Sequence, residues 1–532
     1  MSHEHIPDYL AHATSREHWL NYGSKRRFGV CVPLSALRTN GDFGIGDTGG
    51  LKRMVDWCNT IGASVIQVLP IYDMGLDAVP YSALSAFAID PVYMNLSDVG
   101  LVLADEALVQ RVGASGDRLN DAQHIDYQKV RGEKLAILEQ AFGQSKSAEL
   151  MAKLTVFRQS NPWLEDYLVY RCIKEVEGFR SWEDWGPRYA TDEALERFVS
   201  DHQERIDFHL FLQYELDRQF QEAKTYANER GVLLKGDIPI LVSRDSADVW
   251  RNQQYFRMDT SAGAPPDMYA EDGQNWGFPT YDWDALAKDD YGWWRNRLAQ
   301  AQRYFDLYRI DHVVGFFRIW TIPQGEKNGR NGTYVPQDED VWGQHGHRLL
   351  SMMLESSPML PLAEDLGTIP HVCRNTLRDM GICGLKVQRW EKRWEGDGTF
   401  VHPRDFHPLS LSTLSTHDSE TLSGWWEAYP GERQQLWETL GRGGPSPATL
   451  PPDFHVELIR WLCQGRSMFV VLMLQELLEP FGFLPGQPSD HRINVPGTVN
   501  SLNWTWRCPV TTDELLDNEP LCRQLKELVT LA

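Results

Sequence analysis

A chain of 532 residues with 42% hydrophobic and 24% charged residues has the composition of a folded globular protein, either a large barrel with insertions or two or three average domains. The formal net charge of −22 disfavours nucleic acid, which proteins bind mainly through Lys and Arg, and gives no reason to expect binding to anionic membranes. A neutral or cationic ligand is the simpler expectation.

The N-terminal segment, MSHEHIPDYLAHATSREHWL, has no basic start followed by an apolar stretch, which argues against a secretory signal. The sequence contains no run of about 18 apolar residues, so no membrane span is predicted. The eight cysteines are scattered and form no C-x-x-C pair, which is typical of reduced thiols in a cytoplasmic protein. We therefore expect a cytoplasmic protein without a metal site.

Eight short apolar runs, each followed by polar or turn residues, predict eight strands. In chain order they are 28–34, 63–70, 231–240, 305–312, 359–367, 384–390, 411–418 and 466–476. Helical patterns precede the second, third and fifth runs, at 51–62, 193–231 and 347–357. Alternating strands and helices favour parallel pairing, so we predict an α/β fold: a (β/α)8 TIM barrel with large, mainly helical insertions around the active-site mouth.

Two gaps between predicted strands are longer than a barrel loop requires. Residues 71–230 predict a helical insertion subdomain after the second strand, and residues 238–304 predict a loop-rich insertion over the active site. The whole chain, 1–532, is expected to form a single catalytic barrel domain. The second insertion contains GQNWGFPTYDW, in which aromatic residues alternate with turn residues. Aromatic faces in such loops suit the apolar C–H faces of sugars.

The stretch GIGDTGG at 44–50 satisfies the G-x-G-x-x-G pattern of dinucleotide-binding proteins. In those proteins the glycines follow a strand directly and an acidic residue closes the next strand. Here about ten residues intervene, and the next predicted strand ends in Leu69-Pro70. We therefore interpret the glycines as a tight loop that enters a helix.

Four of the predicted strands end in charged residues. These are Asp237 on the third strand, Arg309 with Asp311 and His312 on the fourth, Glu364 with Asp365 on the fifth, and His417 with Asp418 on the seventh. The carboxyl ends of barrel strands share one mouth, so the carboxylates are expected to converge there. A structural ion pair at each strand end is the alternative explanation, and four such endings together favour an active site.

The spacing of these charges predicts different protonation states for two carboxyl groups. Arg309 lies two residues before Asp311, on the same face of the strand, and should keep Asp311 ionised. Glu364, surrounded by other carboxylates, should have a raised pKa and donate a proton. One ionised and one protonated carboxyl form the pair that retaining glycoside chemistry uses, with Asp311 attacking the anomeric carbon of a sugar.

Three motifs, RIDH, AEDLG and STHD, occur in this order and resemble the signatures of glycoside hydrolase family 77, the 4-α-glucanotransferases or amylomaltases. The resemblance extends over most of the chain. It includes GIGDTGG, VPYSALSAFAIDP, GDIPILVSRDSADVW, GQNWGFPTYDW, HRINVPGT and NWTWR.

The resemblance implies that Asp311 is the nucleophile, Glu364 the general acid and base, and Asp418 the carboxylate that stabilises the transition state. Substrate-binding roles are implied for Arg309, His417, Asp237, Tyr81, Gln274, Trp276 and Asn494. The expected partners are maltooligosaccharides, with glycogen as a further candidate. No cofactor is expected, because carboxyl groups alone perform this chemistry. The oligomeric state is left open.

The chain departs from the commoner bacterial pattern just after the predicted nucleophile. That pattern continues as His-Phe-Arg-Gly, whereas residues 312–315 are HVVG. This resembles the branch that contains the plant cytosolic disproportionating enzyme, which acts on maltose and branched glucans. These 532 residues contain no counterpart of its starch-binding modules, so donor and acceptor preferences stay open.

The predicted reaction is a two-step double displacement through a covalent glucosyl-enzyme, with a sugar hydroxyl as the final acceptor. Two alternatives use the same residues. One is an α-amylase-like hydrolase with the same three carboxylates. The other is a glycan-binding protein that has lost catalysis, which the intact set of Asp311, Glu364 and Asp418 disfavours.

Overall fold

The structure is a computed structural model that describes residues 6–266 and 270–532. Eight of its strands form a parallel barrel: β1 Arg27–Cys31, β2 Val65–Gln67, β3 Leu233–Ile238, β4 Leu307–Ile310, β5 Leu360–Ala363, β6 Gly384–Val387, β7 Ser410–Thr413 and β8 Phe469–Met473. From β1 to β5 and from β6 to β8, each strand pairs with the next in chain order, and β8 pairs with β1. The predicted α/β TIM barrel is confirmed.

The barrel closes between β5 and β6 through a narrow seam. The only backbone pairing assigned there is a single parallel bridge between Leu362 and Cys383, in which the Ala363 N–H donates to the Cys383 carbonyl at 2.7 Å. The side chain of Asp365 adds a bond by accepting the Leu385 N–H at 2.7 Å. A carboxylate thus supplies an acceptor where the strand ladder is interrupted.

Every predicted apolar run overlaps a barrel strand, and every run extends past the end of its strand. The run at 305–312 shows the cause, because β4 ends at Ile310 and the chain then turns. His312 has a φ of +44°, in the left-handed region, and a short 3₁₀ helix follows at Val313–Phe316. The charged residues at the ends of the runs therefore lie in turns at the barrel mouth.

The described α-helices are, in chain order, α1 Arg16–Tyr22, α2 Thr48–Ile61, α3 Gly100–Leu103, α4 Glu106–Asn120, α5 Tyr127–Gln144, α6 Ala148–Ser160, α7 Trp163–Val176, α8 Asp192–Asp201, α9 Gln203–Glu229, α10 Ala247–Arg251, α11 Trp283–Lys288, α12 Gly292–Ala301, α13 Trp342–Ser356, α14 His371–Asp379, α15 Leu422–Ala428, α16 Pro430–Thr439, α17 Pro452–Cys463, α18 Leu474–Leu478, α19 Thr512–Asp517 and α20 Glu519–Val529. The connection from β6 to β7 contains only 3₁₀ turns, at Gln388–Trp390 and Pro403–Asp405. None of these helices is long and apolar enough to cross a bilayer.

The segment 71–230 contains α3 to α9, and its last helix packs against both α2 and β3. The division into a barrel and two insertions stays a prediction. The start of this segment is anchored by Asp73, which is fully buried. Tyr167 donates to its carboxylate at 2.8 Å and Arg171 Nε donates at 3.1 Å, so α7 holds the loop that continues to Tyr81.

The segment 238–304 contributes to a small antiparallel sheet beside the barrel mouth. Its strands lie in the order Thr333–Val335, Ile319–Pro323, Thr260–Ala264 and Gln274–Asn275. A second, two-stranded sheet pairs Phe256–Arg257 with Thr280–Tyr281. Gly263 permits the close approach of two strands in the first sheet, because a Cβ at this position would lie 2.0 Å from the backbone oxygen of Gln274.

Candidate active site

A cavity of ≈ 650 Å³ opens at the carboxyl ends of the barrel strands, within the size range of ligand sites. The side chains of Asp311, Glu364 and Asp418 all line it, and they follow β4, β5 and β7. Six of the seven predicted substrate-binding residues line the same cavity: Tyr81, Gln274, Trp276, Arg309, His417 and Asn494. The seventh, Asp237, is buried behind them.

Arg309 is the central cation of the site. Its Nη1 atom lies 2.8 Å from Asp311 Oδ1 and 2.9 Å from both carboxylate oxygens of Asp237. Its Nη2 atom lies 3.6 Å from Glu364 Oε2. A planar guanidinium can contact several carboxylates at fixed angles, which an ammonium cannot do. Three strands are therefore joined electrostatically at one buried side chain.

Glu364 is held in a setting that favours its protonated form. Its side chain is 11% exposed, and its Oε2 atom accepts the backbone N–H of His312 at 2.7 Å. Burial raises the pKa of Glu364 to about 8, and the negative charge of Asp311 acts in the same direction against the opposing effect of Arg309. The left-handed conformation of His312 orients its N–H towards this carboxyl group.

Asp418 is held in the opposite state. Its side chain is 46% exposed, and the partial loss of hydration would raise its pKa, but His417 and the hydrogen bond from Asn494 outweigh this effect and hold the pKa of Asp418 well below its ordinary value. Asn494 Nδ2 donates to Asp418 Oδ1 at 2.7 Å, and His417 Nε2 lies 3.3 Å from Oδ2. Asp418 is therefore ionised at neutral pH, whereas Glu364, which lines the same cavity, is protonated.

Tyr81 links the loop after β2 to the carboxylate cluster. Its hydroxyl donates to Asp237 Oδ2 at 2.8 Å and lies 3.0 Å from His417 Nε2. Its ring stacks on the His417 ring with centroids 5.7 Å apart and an interplanar angle of 15°. Asp237 is 1% exposed and binds Arg309 and Tyr81, so it orients two residues that line the cavity.

One wall of the cavity comes from the small antiparallel sheet. Trp276 donates its indole N–H to Gln274 Oε1 at 3.0 Å. The same ring meets the His312 ring edge-on with centroids 5.0 Å apart. The aromatic surface predicted for the segment 238–304 therefore contacts His312, the neighbour of Asp311 in the chain.

A second set of contacts fixes the loops after β7 and β8. Glu420 Oε1 accepts from Arg492 Nη1 at 3.2 Å, and its Oε2 atom lies 3.6 Å from Arg389 Nη2. Arg492 Nε also donates to the backbone oxygen of Asn494 at 2.9 Å. Glu420 thus ties the segment that carries Asn494 to the loop that carries Asp418.

Sequence reasoning missed several lining residues. Lys235 lines the cavity and donates to Gln67 Oε1 at 2.7 Å, and burial lowers the pKa of Lys235 to about 8. Its position two residues before Asp237 could have identified Lys235 as a site residue, because side chains two residues apart point to the same face of a strand. Trp390 and Trp504 also line the cavity, but no local pattern distinguished them from core aromatic residues.

Asp365 does not line the cavity, although the sequence placed it among the mouth carboxylates. Its carboxylate instead occupies the seam between β5 and β6, where it accepts the Leu385 N–H. Neighbouring residues point in opposite directions at the end of a strand. Glu364 and Asp365 therefore have different surroundings despite being adjacent.

The glycine-rich loop at 44–50 leads into α2, as expected from its sequence. Asp47 caps this helix by accepting the N–H groups of Gly49 at 2.8 Å and Gly50 at 3.1 Å. A carboxylate already occupies the position that a phosphate would take at a helix N-terminus. Among the residues that the structure describes, no group of three His, Cys, Asp or Glu side chains is placed to hold a metal ion.

Comparison with known proteins gives a consistent set of relatives. A family model described as 4-alpha-glucanotransferase matches residues 32–512. A 4-alpha-glucanotransferase of Chlamydia pneumoniae is 34% identical over 98% of this chain and 99% of its own. The 4-alpha-glucanotransferase DPE2 of Oryza sativa is 28% identical over 95% of this chain and 69% of its own. The amylomaltase of Streptococcus agalactiae, solved in complex with acarbose, is similar in fold with a TM-score of 0.81, 26% identity, and coverage of 95% of this chain and 99% of its own.

Proposed function

Because the chain belongs to the 4-alpha-glucanotransferases, glycoside hydrolase family 77, we propose that it transfers α-1,4-glucan segments or glucosyl units between maltooligosaccharides by a retaining double displacement. The observation that carries this proposal is the convergence of Asp311, Glu364 and Asp418 on one cavity, with Arg309 between the first two. No cofactor takes part in the proposed steps.

In the first step Asp311 attacks the anomeric carbon of the bound glucan, and Glu364 gives its proton to the departing glycosidic oxygen. Arg309 supports this role of Asp311, because its guanidinium stabilises the carboxylate at 2.8 Å. Glu364 supports the acid role, because a carboxyl with a pKa of about 8 still holds its proton at neutral pH. The products of this step are a covalent glucosyl-enzyme and a shortened glucan.

In the second step Glu364 acts as a base. The ester bond removes the negative charge of Asp311, which is one of the causes that raise the pKa of Glu364. The pKa of Glu364 therefore falls in the intermediate, and the carboxylate can take the proton of an incoming sugar 4-hydroxyl. Attack by this hydroxyl restores the α-linkage and releases Asp311.

Asp418 stabilises the positive charge that develops at the anomeric carbon in both steps. Its ionised state at neutral pH supports this role, since its pKa lies well below the ordinary value. Asn494 and His417 hold the carboxylate in place through the contacts at 2.7 and 3.3 Å. Tyr81 and Arg309 line the same pocket and are proposed to bind sugar hydroxyls.

Transfer requires that the acceptor sugar reach the intermediate before water does. The walls formed by Trp276 and Trp504 provide apolar surface for an acceptor sugar, and both residues line the cavity. Short maltooligosaccharides are the proposed substrates, with glycogen as a further donor. All eight cysteines lie among the described residues and are buried and free, which supports the proposed cytoplasmic location.

Maltotriose as sole substrate tests the reaction. We expect a ladder of longer maltooligosaccharides together with glucose, at a constant number of reducing ends, because transfer breaks and makes one linkage in each cycle. A net increase in reducing ends with only shorter products would instead identify a hydrolase. Asp311→Asn should abolish both outcomes, whereas turnover that persists in this variant would reject Asp311 as the nucleophile.

A further inference from the structure

We propose that the loop 391–400, between β6 and β7, carries an outer binding site for long α-1,4-glucan chains, with Trp394 as its stacking platform. This inference rests on the proposed function, because it extends the glucan-binding cavity outwards. The ligand class is a linear maltooligosaccharide long enough to project from the cavity mouth.

The exposure of Trp394 sets it apart from the other tryptophans. All twenty lie among the described residues, and Trp394, at 63% exposed, is the one with a largely solvent-exposed side chain. Leaving an indole in water forgoes the free energy that burial would provide. Sugars stack their C–H faces on such rings, so an exposed indole near a glucan cavity is a chemically suitable contact.

Trp394 lies next to the cavity wall. Its indole N–H donates to the backbone oxygen of Trp390 at 3.3 Å, and Trp390 lines the cavity. The fully buried Arg389 in turn lies 5.4 Å from the centre of the Trp390 ring, which supports that ring from the protein interior. A hydrogen bond thus joins the exposed Trp394 directly to a residue of the cavity wall.

The Trp394 ring is held in place although it is exposed. The ammonium of Lys392 lies 5.5 Å from its ring centre and 4.7 Å from that of Phe400, and it forms an ion pair with Glu432 at 2.7 Å. The loop is closed by an antiparallel bridge between Lys392 and Phe400. A side chain that is already oriented loses little conformational entropy when a ligand binds, which favours affinity.

Polar groups for sugar hydroxyls are present in the same loop and in the turn that follows it. Arg393 and Asp405 form an exposed ion pair at 3.4 Å, with 52% and 57% of their side chains accessible. Arg393 Nη1 also donates to Thr399 Oγ1 at 3.2 Å. An exposed aromatic face with charged and hydroxyl groups beside it has the composition of a carbohydrate-binding surface rather than of an apolar protein interface.

The test compares donors of different length. For Trp394→Ala, the ratio of kcat/KM for maltoheptaose to kcat/KM for maltotriose should fall about fivefold to tenfold, the effect of losing one stacking contact of about 1 kcal/mol or slightly more. Trp394→Phe should retain most of the ratio, since a flat ring remains. Val156→Ala on α6 is the control, because Val156 is 62% exposed on another part of the surface. A ratio within twofold of the parent value, or an equal loss for both donors, would overturn the proposal.

Binding provides a measurement that does not depend on turnover. Calorimetric titration of the Asp311→Asn protein with maltoheptaose should give a Kd that rises about fivefold to tenfold when Trp394 is also replaced by alanine. Equal Kd values with and without Trp394 would overturn the outer site. Failure of the parent protein to disproportionate maltotriose would reject the proposed function instead, so the two failures are distinguishable.

Discussion

Glu364→Gln is expected to abolish transfer and, at the same time, to stabilise the protein at alkaline pH. The pKa of Glu364 is raised from an ordinary 4.5 to about 8, first by burial and further by the charge of Asp311. The side chain is 11% exposed, so most of this effect is present in the folded state without solvent screening. Glutamine keeps the shape and can still accept the His312 N–H, but it never ionises.

The sign of the stability effect follows from the two ionisation states. In the unfolded chain Glu364 ionises near pH 4.5, whereas in the folded protein it stays protonated up to about pH 8. The stabilisation contributed by the protonated group is therefore fully present below pH 4.5 and is lost as the pH rises to about 8. A pKa rise of about 3.5 corresponds to at most about 5 kcal/mol.

Thermal unfolding of the parent and of Glu364→Gln at pH 5, 7 and 9 measures this effect. The difference in Tm should increase in favour of the variant by several degrees from pH 5 to pH 9. Glu395→Gln, at an exposed site, should show no such pH dependence. The reasoning would be refuted by a Tm difference that is constant from pH 5 to pH 9, or by transfer from maltotriose that persists in Glu364→Gln.

Three further variants test the rest of the site. Arg309→Lys should lower kcat for maltotriose by about 100-fold or more and destabilise the protein by about 3 kcal/mol, because an ammonium cannot contact all the buried carboxylates. A normal kcat would contradict the central role of Arg309. Glu420→Gln should lower kcat about tenfold with little change in KM, because Arg492 loses its charged partner and the loop that carries Asp418 is held less firmly. A change in KM alone would count against a positioning role for Glu420. Gly263→Ala should lower Tm, because an added Cβ would lie 2.0 Å from a backbone oxygen of the neighbouring strand. It should also raise the ratio of hydrolysis to transfer, measured as new reducing ends per transfer event.

The matched control for the glycine variant is Gly143→Ala. Gly143 lies on the surface of α5, and an added Cβ there would have no heavy atom within 4 Å. The substitution should leave Tm and the hydrolysis ratio at their parent values or raise Tm slightly, since alanine favours a helix. Equal effects of the two alanines would show that the packing at Gly263 is not the cause.

The barrel could be predicted from the sequence because its strands are buried on both faces and therefore appear as short continuous apolar runs. Strand ends were harder to place. The run at 305–312 continues past the true end of β4, where His312 adopts a left-handed turn and its N–H donates to Glu364, 52 residues away in sequence. Local sequence carries no information about such a distant partner.

The convergence of Asp311, Glu364 and Asp418 on one cavity could be predicted for a similar reason, since each follows a recognisable strand; their catalytic roles stay a proposal. The sequence predicted a raised pKa for Glu364 but made no prediction about the pKa of Asp418, which is lowered by His417 and by a hydrogen bond from Asn494 in the loop after β8. Asp365 shows the limit of the approach. Only the structure reveals that its carboxylate faces the seam between β5 and β6, because side-chain direction at a strand end depends on how the barrel closes.

The seam between β5 and β6 also bears on how the active site is assembled. A boundary held by one backbone bridge and one carboxylate should have a lower free energy of local opening than the continuous strand pairings elsewhere in the barrel. The Leu385 amide should therefore exchange its hydrogen with solvent earlier than the amides of β1 and β8. Glu364 directly precedes Asp365 at this boundary, so we expect local opening here to displace the proposed proton donor.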